Sequence, residues 1–217
     1  VTGDWESPIT SHQSPITNFF HLSALSNSKS LAMKIYHLLF LFASLLFAAC
    51  DDDSATPGQT ILKYDKENAT GPQLDAGYHE MAVRFPASQM AEHAGKKLTE
   101  VQFFVGAAPQ DCKVKVYGQG TATTPGSILY EKDVTNALQV SEWNKHPVSP
   151  VIVLTGEDLW LSIGFTHAGT QQSIGCDSGP NKGNSDWLWS ASDGEWKTYI
   201  DRTSESVNWN IRGVVEE

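Results

Sequence analysis

Cysteine is scarce in this chain: 3 in 217 residues, at Cys50, Cys112 and Cys176. None is spaced as C-x-x-C, which removes zinc-knuckle and dithiol redox chemistry from consideration. No H-E-x-x-H metallopeptidase helix is present. Positive charge is also in short supply, with 15 Lys and Arg against 25 Asp and Glu and a net charge of −10. Such a surface repels nucleic acid and anionic lipid headgroups, so neither is expected as a direct partner. Helical periodicity is nearly absent, and the one helix candidate is the short stretch 86–94. The single long apolar run, 35–49, falls short of the ~20 residues that span a bilayer comfortably.

That run is nevertheless the most informative stretch of the chain. Met33-Lys34 gives it a short positive start, Ala48-Ala49 a small-residue end, and Cys50-Asp51-Asp52-Asp53 follows. A positive start, an apolar core of this length and small residues at the end have the form of a secretory signal. Small residues before Cys50 resemble a bacterial lipobox, with Phe47 where that motif more often has Leu or Val. The three carboxylates resemble the export signal of Bacteroidetes surface lipoproteins. The resemblance implies a lipidated Cys50 and an outer-membrane, cell-surface location, with acyl chains rather than protein charge holding the membrane. Residues 1–32 have no sustained period and are rich in Ser and Thr, and are expected to be an over-extended N-terminus. Residues 33–49 are read as the signal peptide and 50–76 as an acidic polar tether. Within the tether, Thr60-Ile61-Leu62 is a candidate edge strand.

From residue 77 to 217 the pattern is all-β. Cys112, Val114 and Val116 alternate with Lys113 and Lys115. Runs at 81–85, 98–105, 127–131, 148–154, 158–165, 172–176, 187–190, 197–200 and 209–215 are separated by Gly, Pro and Asx turns. Many short strands at close spacing predict a β-sandwich. Cys112 and Cys176 both fall in alternating apolar stretches. They are either a disulfide, which an oxidising compartment allows, or two buried thiols.

The order of motifs carries a second resemblance. Phe85 is followed by Ala94-Gly95-Lys96-Lys97-Leu98-Thr99-Glu100-Val101-Gln102-Phe103, then Lys113-Val114-Lys115-Val116-Tyr117 and Pro125-Gly126-Ser127-Ile128-Leu129-Tyr130. Later come Glu142-Trp143-Asn144, Leu159-Trp160-Leu161-Ser162-Ile163-Gly164, Ile174-Gly175-Cys176-Asp177-Ser178-Gly179-Pro180 and Asn208-Trp209-Asn210-Ile211-Arg212-Gly213. This is similar to the cleaved-adhesin domains of gingipains and haemagglutinins. The resemblance implies a jelly-roll, galactose-binding-like β-sandwich, a role in adhesion or accessory binding, and calcium in several members. Its motifs are of the strand type, so they bear on fold more than on activity.

Three constellations bear on chemistry. Cys176-Asp177-Ser178-Gly179-Pro180 has the order found around a serine-protease nucleophile. A triad also needs a His base, an orienting Asp and backbone donors set by a double Gly; only one Gly follows Ser178, no Ala-Ala-His-Cys segment precedes it, and the chain is too short for two barrels. His79, His93, His146 and His167 are not at metal or triad spacing and are read as surface residues. The loop 177–193 holds Asp177, Asp186 and Asp193 among Asn and Gly, the oxygen-rich chemistry that calcium uses. These three are the candidate metal ligands, and calcium is the only cofactor considered.

The same segment holds Trp187, Trp189 and Trp196. Trp187 and Trp189 share one face of a strand and either stack on a ligand or fill the core, as Trp143, Trp160 and Trp209 are expected to do. Leu188 between them requires the two faces to differ. The expected function is a non-enzymatic surface binding module, adhesin-like, for a glycan or a surface or host protein, with Trp187, Trp189 and Trp196 as the binding residues. An accessory subunit of a surface peptidase or polysaccharide-capture assembly is the alternative. A hydrolase using carboxylates such as Asp186 and Asp193 is the more distant one.

Overall fold

The alternation that marks Cys112–Tyr117 as a half-buried strand is realised in the computed structural model: Cys112, Val114 and Val116 point inward while Lys113 and Lys115 are partly exposed. The structure describes residues 56–217. Residues 1–32, expected to be an over-extended N-terminus, the expected signal peptide 33–49 and Cys50 lie outside the described residues. Among the described residues ten strands are formed: β1 (Gln59–Leu62), β2 (Gly77–Phe85), β3 (Lys97–Val105), β4 (Asp111–Tyr117), β5 (Ile128–Asp133), β6 (Glu142–Val153), β7 (Leu159–His167), β8 (Trp187–Ser190), β9 (Glu195–Thr198) and β10 (Ile211–Glu216). Two short helices accompany them, α1 (Ala87–Met90), which runs on into a 3-10 turn, and α2 (Tyr199–Thr203).

The strands make two antiparallel sheets, of order β1-β10-β3-β6 and β5-β4-β7-β2-β8-β9. With the β8–β9 hairpin set aside, eight strands remain in the orders first-eighth-third-sixth and second-seventh-fourth-fifth, which is the double Greek key of a jelly roll. The hairpin is thus an insertion between the last two jelly-roll strands, and it widens the larger sheet beyond β2.

The inner faces close on one core that includes Val101, Phe103, Val114, Leu161, Ile163, Phe165, Trp209 and Ile211. Each such large side chain contributes about 1.5–3 kcal/mol by leaving water. β7 sits mid-sheet and is buried on both faces except at Thr166. Alternation therefore fails there, and a near-continuous apolar run takes its place.

Several expectations need correction. Residues 59–76 are not a tether. β1 pairs with β10 from Gln59 to Leu62, Tyr64 stacks on Phe85 with ring centroids 5.0 Å apart, and Asp65 is buried against Arg212 and Asn210. The domain therefore begins well before residue 77, because Asp65 neutralises an Arg212 that β10 carries inside the fold. Of the two alternatives open for Cys112 and Cys176, the structure has the buried free thiols. Burial pushes both up to about 12, so they are packing groups rather than nucleophiles. Of the four histidines among the described residues, His146 is partly exposed, while His79, His93 and His167 are buried. Trp143 lies on the outer face of the smaller sheet, its ring 4.0 Å from the Arg212 guanidinium, rather than in the core.

Candidate functional site

The β8–β9 hairpin is short and needs anchoring, since a lone two-stranded ribbon is marginal in water. Gly194, at φ +68°, turns the chain back. Arg202, from α2, ties the turn from below: it pairs with Asp193 and donates to the carbonyls of Glu195 (2.9 Å) and Leu188 (3.2 Å). Asp186 Oδ2 accepts from the backbone of Ile200 at 2.9 Å, and Thr198 caps α2 by accepting from the Asp201 amide.

This anchoring fixes which face each indole occupies. Leu188 enters the main core, so Trp187 and Trp189 lie on the outer face of the larger sheet. Their fates then diverge. Trp187 is 7% exposed and joins a second apolar cluster with Ala82, Tyr117 and Trp160, against which Trp196 packs. Its ring centroid is 5.4 Å from that of Trp160. Arg84 stands over Trp160 at 6.0 Å, held there by Asp158 and by Asn184 Oδ1. Trp187 is thus a floor residue, and its expected role as a direct ligand contact is corrected on this ground. Trp189 and Trp196 are half-buried and face each other across the hairpin. Tyr78 on β2 adds a third ring, 5.5 Å from Trp189.

Beneath these rings lies Glu80, only 4% exposed. Its Oε1 accepts from the hydroxyls of Tyr117 and Ser162, each at 2.5 Å. Its Oε2 accepts from the Tyr78 hydroxyl at 2.6 Å and from Lys115 Nζ at 2.7 Å. Two acceptances per oxygen fill the capacity of a carboxylate. Glu80 therefore positions Tyr78, Tyr117 and Lys115 and has no lone pair left for proton transfer. Burial, reinforced by the adjacent Glu80 charge, drives the phenols of Tyr78 and Tyr117 far above their ordinary range, so both stay neutral donors. Gly164 is required under Tyr78: a Cβ there would stand 2.5 Å from the Tyr78 hydroxyl.

The three candidate calcium ligands are placed apart in role. Asp177 is fully buried and accepts from the amides of Lys66, Gly179 and Asn208 and from the Asn208 side chain. Asp193 is the partner of Arg202, which holds its carboxyl below the usual range. Asp186 is enclosed, its pKa raised by burial, and its Oδ1 has no partner among the described residues. No group of three or more His, Cys, Asp or Glu side chains is gathered for a metal among the described residues. The loop carboxylates here serve backbone amides and an arginine, which accounts for the Asx-rich sequence. Nor are Asp186 and Asp193 disposed as an exposed acid–base pair.

The sequence reading missed Tyr78, Glu80, Tyr117 and Trp160. The available signal was period two on β2, where Tyr78, Glu80, Ala82 and Arg84 share the outer face. A glutamate in mid-strand, whose side chain reaches a lysine on β4 and a serine on β7, makes a buried polar hub.

No protein-family model matches the chain, and no curated protein matches it in sequence. Among solved structures, a Clostridial cysteine protease, Cwp84 after propeptide cleavage, is similar over 76% of this chain and 41% of that one, with TM-score 0.53 and 10% identity. A second structure contains the cysteine protease and lectin-like domains of Cwp84, a surface layer associated protein of Clostridium difficile. It gives TM-score 0.54 and 10% identity over 76% of this chain and 37% of that one. This chain spans less than half the length of either. What it shares with them is the fold, an all-β sandwich.

Proposed function

We propose that this chain is a non-catalytic binding module that takes a glycan on the outer face of its larger sheet. Tyr78, Trp189 and Trp196 supply the stacking surface. The observation that carries the reading is the half-exposed Trp189–Trp196 pair continued by Tyr78, all set on a rigid sheet over the saturated Glu80. Flat indole faces with a polar rim suit the apolar side of a sugar ring, and strands hold them without the ordering cost of a loop. Lys115, 5.5 Å from the Tyr78 ring centroid and paired with Glu80, helps to hold that ring from beneath. The fold shared with a structure that contains a lectin-like domain supports this reading. That structure also contains a protease, which supports the second reading, an accessory domain of a surface peptidase.

Lipidation at Cys50 and an outer-membrane, cell-surface location complete the proposal. Cys50→Ala is expected to move the protein from the membrane fraction to the soluble one. Persistence in the membrane fraction would remove the anchor.

The binding claim is tested by a glycan array on residues 54–217, which form one compact unit, followed by titration of the hits. Trp189→Ala and Trp196→Ala should each weaken a glycan hit by at least about tenfold, since truncating a hot-spot aromatic costs about 2 kcal/mol or more. Their melting should change little. A hit indifferent to both variants would remove this face from the proposal, and a protein-only hit would favour the accessory reading.

A further inference from the structure

The three rings of the outer face stand on three successive strands. The sheet order runs β2-β8-β9, and Tyr78, Trp189 and Trp196 belong to these strands in turn. Trp189 pairs with Glu80 on one side and with Trp196 on the other, and Tyr78 is the next outward position along β2 from Glu80. The Tyr78 and Trp189 ring centroids are 5.5 Å apart. Neighbouring strands lie about 4.8 Å apart, so the row from β2 to β9 is about 10 Å long and runs across the strands rather than along them. A pyranose unit in an extended chain advances by a step close to one strand spacing. A single sugar therefore covers one ring and leaves the other two in water, whereas three consecutive units each find a ring. Among the described residues β9 is the edge of the sheet, so no further strand bounds the row beyond Trp196.

The charges around the row narrow the chemistry further. Among the described residues, the lysines and arginine that the strands of this sheet carry to the outer face are ion-paired: Arg84 with Asp158, Lys113 with Glu131, and Lys115 with Glu80. At the edge, Lys197 pairs with Glu195. Asp111 and Asp133 stand on the same face, in register with Thr166 and Lys113, and add negative charge beyond those pairs. A uronate, a sulfate ester or a sialic acid finds no unpaired cation there and is repelled by the surplus carboxylates. An uncharged chain meets neither obstacle.

We infer that the ligand of this face is an uncharged, extended glycan chain, bound through at least three consecutive sugar units laid across β2, β8 and β9. This specificity rests on the glycan reading of the Tyr78–Trp189–Trp196 face and adds the length and the charge of what it takes.

The test is isothermal titration of residues 54–217, one compact unit. The probes are neutral gluco-, manno-, xylo- and galacto-oligosaccharides from the monosaccharide to the hexasaccharide, with oligogalacturonates and heparin oligosaccharides as the anionic set. One neutral series should bind, at least about tenfold tighter as the trisaccharide than as the monosaccharide, and should lose at least about tenfold in Trp189→Ala and in Trp196→Ala. Its affinity should be unchanged between about 0.05 and 0.5 M salt, since no ion pair is made with the chain. The length and salt series are read on the parent protein and do not depend on either variant folding. A monosaccharide that binds as tightly as its trisaccharide would overturn the chain length. Binding of the anionic set alone, weakened by both tryptophan variants, would overturn the uncharged ligand while leaving the glycan reading in place. Binding indifferent to both variants, or silence across every series, would remove the glycan reading and this specificity with it.

Discussion

His79 and Glu80 are neighbours on β2 and point to opposite sides of one sheet, and the chain treats them in opposite ways. Glu80 faces outward but is enclosed by aromatic rings, and all four of its acceptor positions are filled from β2, β4 and β7. His79 faces inward, is equally buried, and leaves one ring nitrogen enclosed without a partner among the described residues. The saturated group is structural: it locks the floor on which the exposed indoles stand. The unsaturated one is packed between Phe165 and His167, and the fold encloses its spare nitrogen. Burial alone does not separate the two roles; the count of satisfied lone pairs does.

That contrast can be broken at its strongest point first. Glu80→Ala strands Lys115 and three hydroxyls in a buried site, and should cost about 3–5 kcal/mol, read from urea unfolding. Glu80→Gln, which keeps the shape, should recover part of that loss. If Glu80→Ala melts like the parent, the hub reading is wrong and Glu80 is free for other chemistry.

A pH series sharpens the other side. Burial depresses the pKa of His167 below 6.5, with the nearby His79 adding to the effect. The unfolded chain then binds the proton first, so stability is full above about 6.5 and falls as pH drops from there toward the folded value. The slope is at most about 1.4 kcal/mol per pH unit for one group. Comparing the melting of the parent with that of His167→Gln between pH 7.5 and about 5 should show a flatter profile in the variant. An identical profile would place the titration elsewhere.

The smallest effect is expected at His79 itself. His79→Phe removes only the bond from Nε2 to Asp75, worth about 0.5–1.5 kcal/mol, because Nδ1 contributes no protein contact. A loss as large as that of Glu80→Ala would show that His79 is a structural hub too, and would erase the distinction.

Much of the architecture was legible in the residues. Period two at Cys112–Tyr117 and the apolar runs at 98–105 and 158–165 locate three strands that the structure contains, because a half-buried strand must alternate and a doubly buried one must not. The run 172–176 was read as a strand as well. It makes only isolated bridges, from Ile174 to Val105 and from Cys176 to Thr70 and Trp209, since it crosses the end of the sandwich rather than joining a sheet. Residues 59–76 were misread because their polar composition hides Asp65, whose partner Arg212 lies far along the chain. Long-range ion pairs leave no local signature.

The aromatic segment shows the same division. Trp187, Leu188 and Trp189 in succession force two environments, and that much follows from alternation alone. Which environment each indole receives depends on β8 docking beside β2, on Ala82 leaving room for Trp187, and on Arg84 and Trp160 closing over that end of the sheet.

The sequence by itself therefore determined the all-β class, the strand spacing, the acidic surface and the presence of an aromatic, Asx-rich segment near residue 190, since these follow from local periodicity and composition. Only the tertiary structure decided that this segment is a hairpin inserted into a jelly roll. It also decided that the carboxylates bind amides and an arginine, and that Glu80 is filled while His79 is not. Those outcomes depend on which distant donors the folded chain brings within hydrogen-bonding distance.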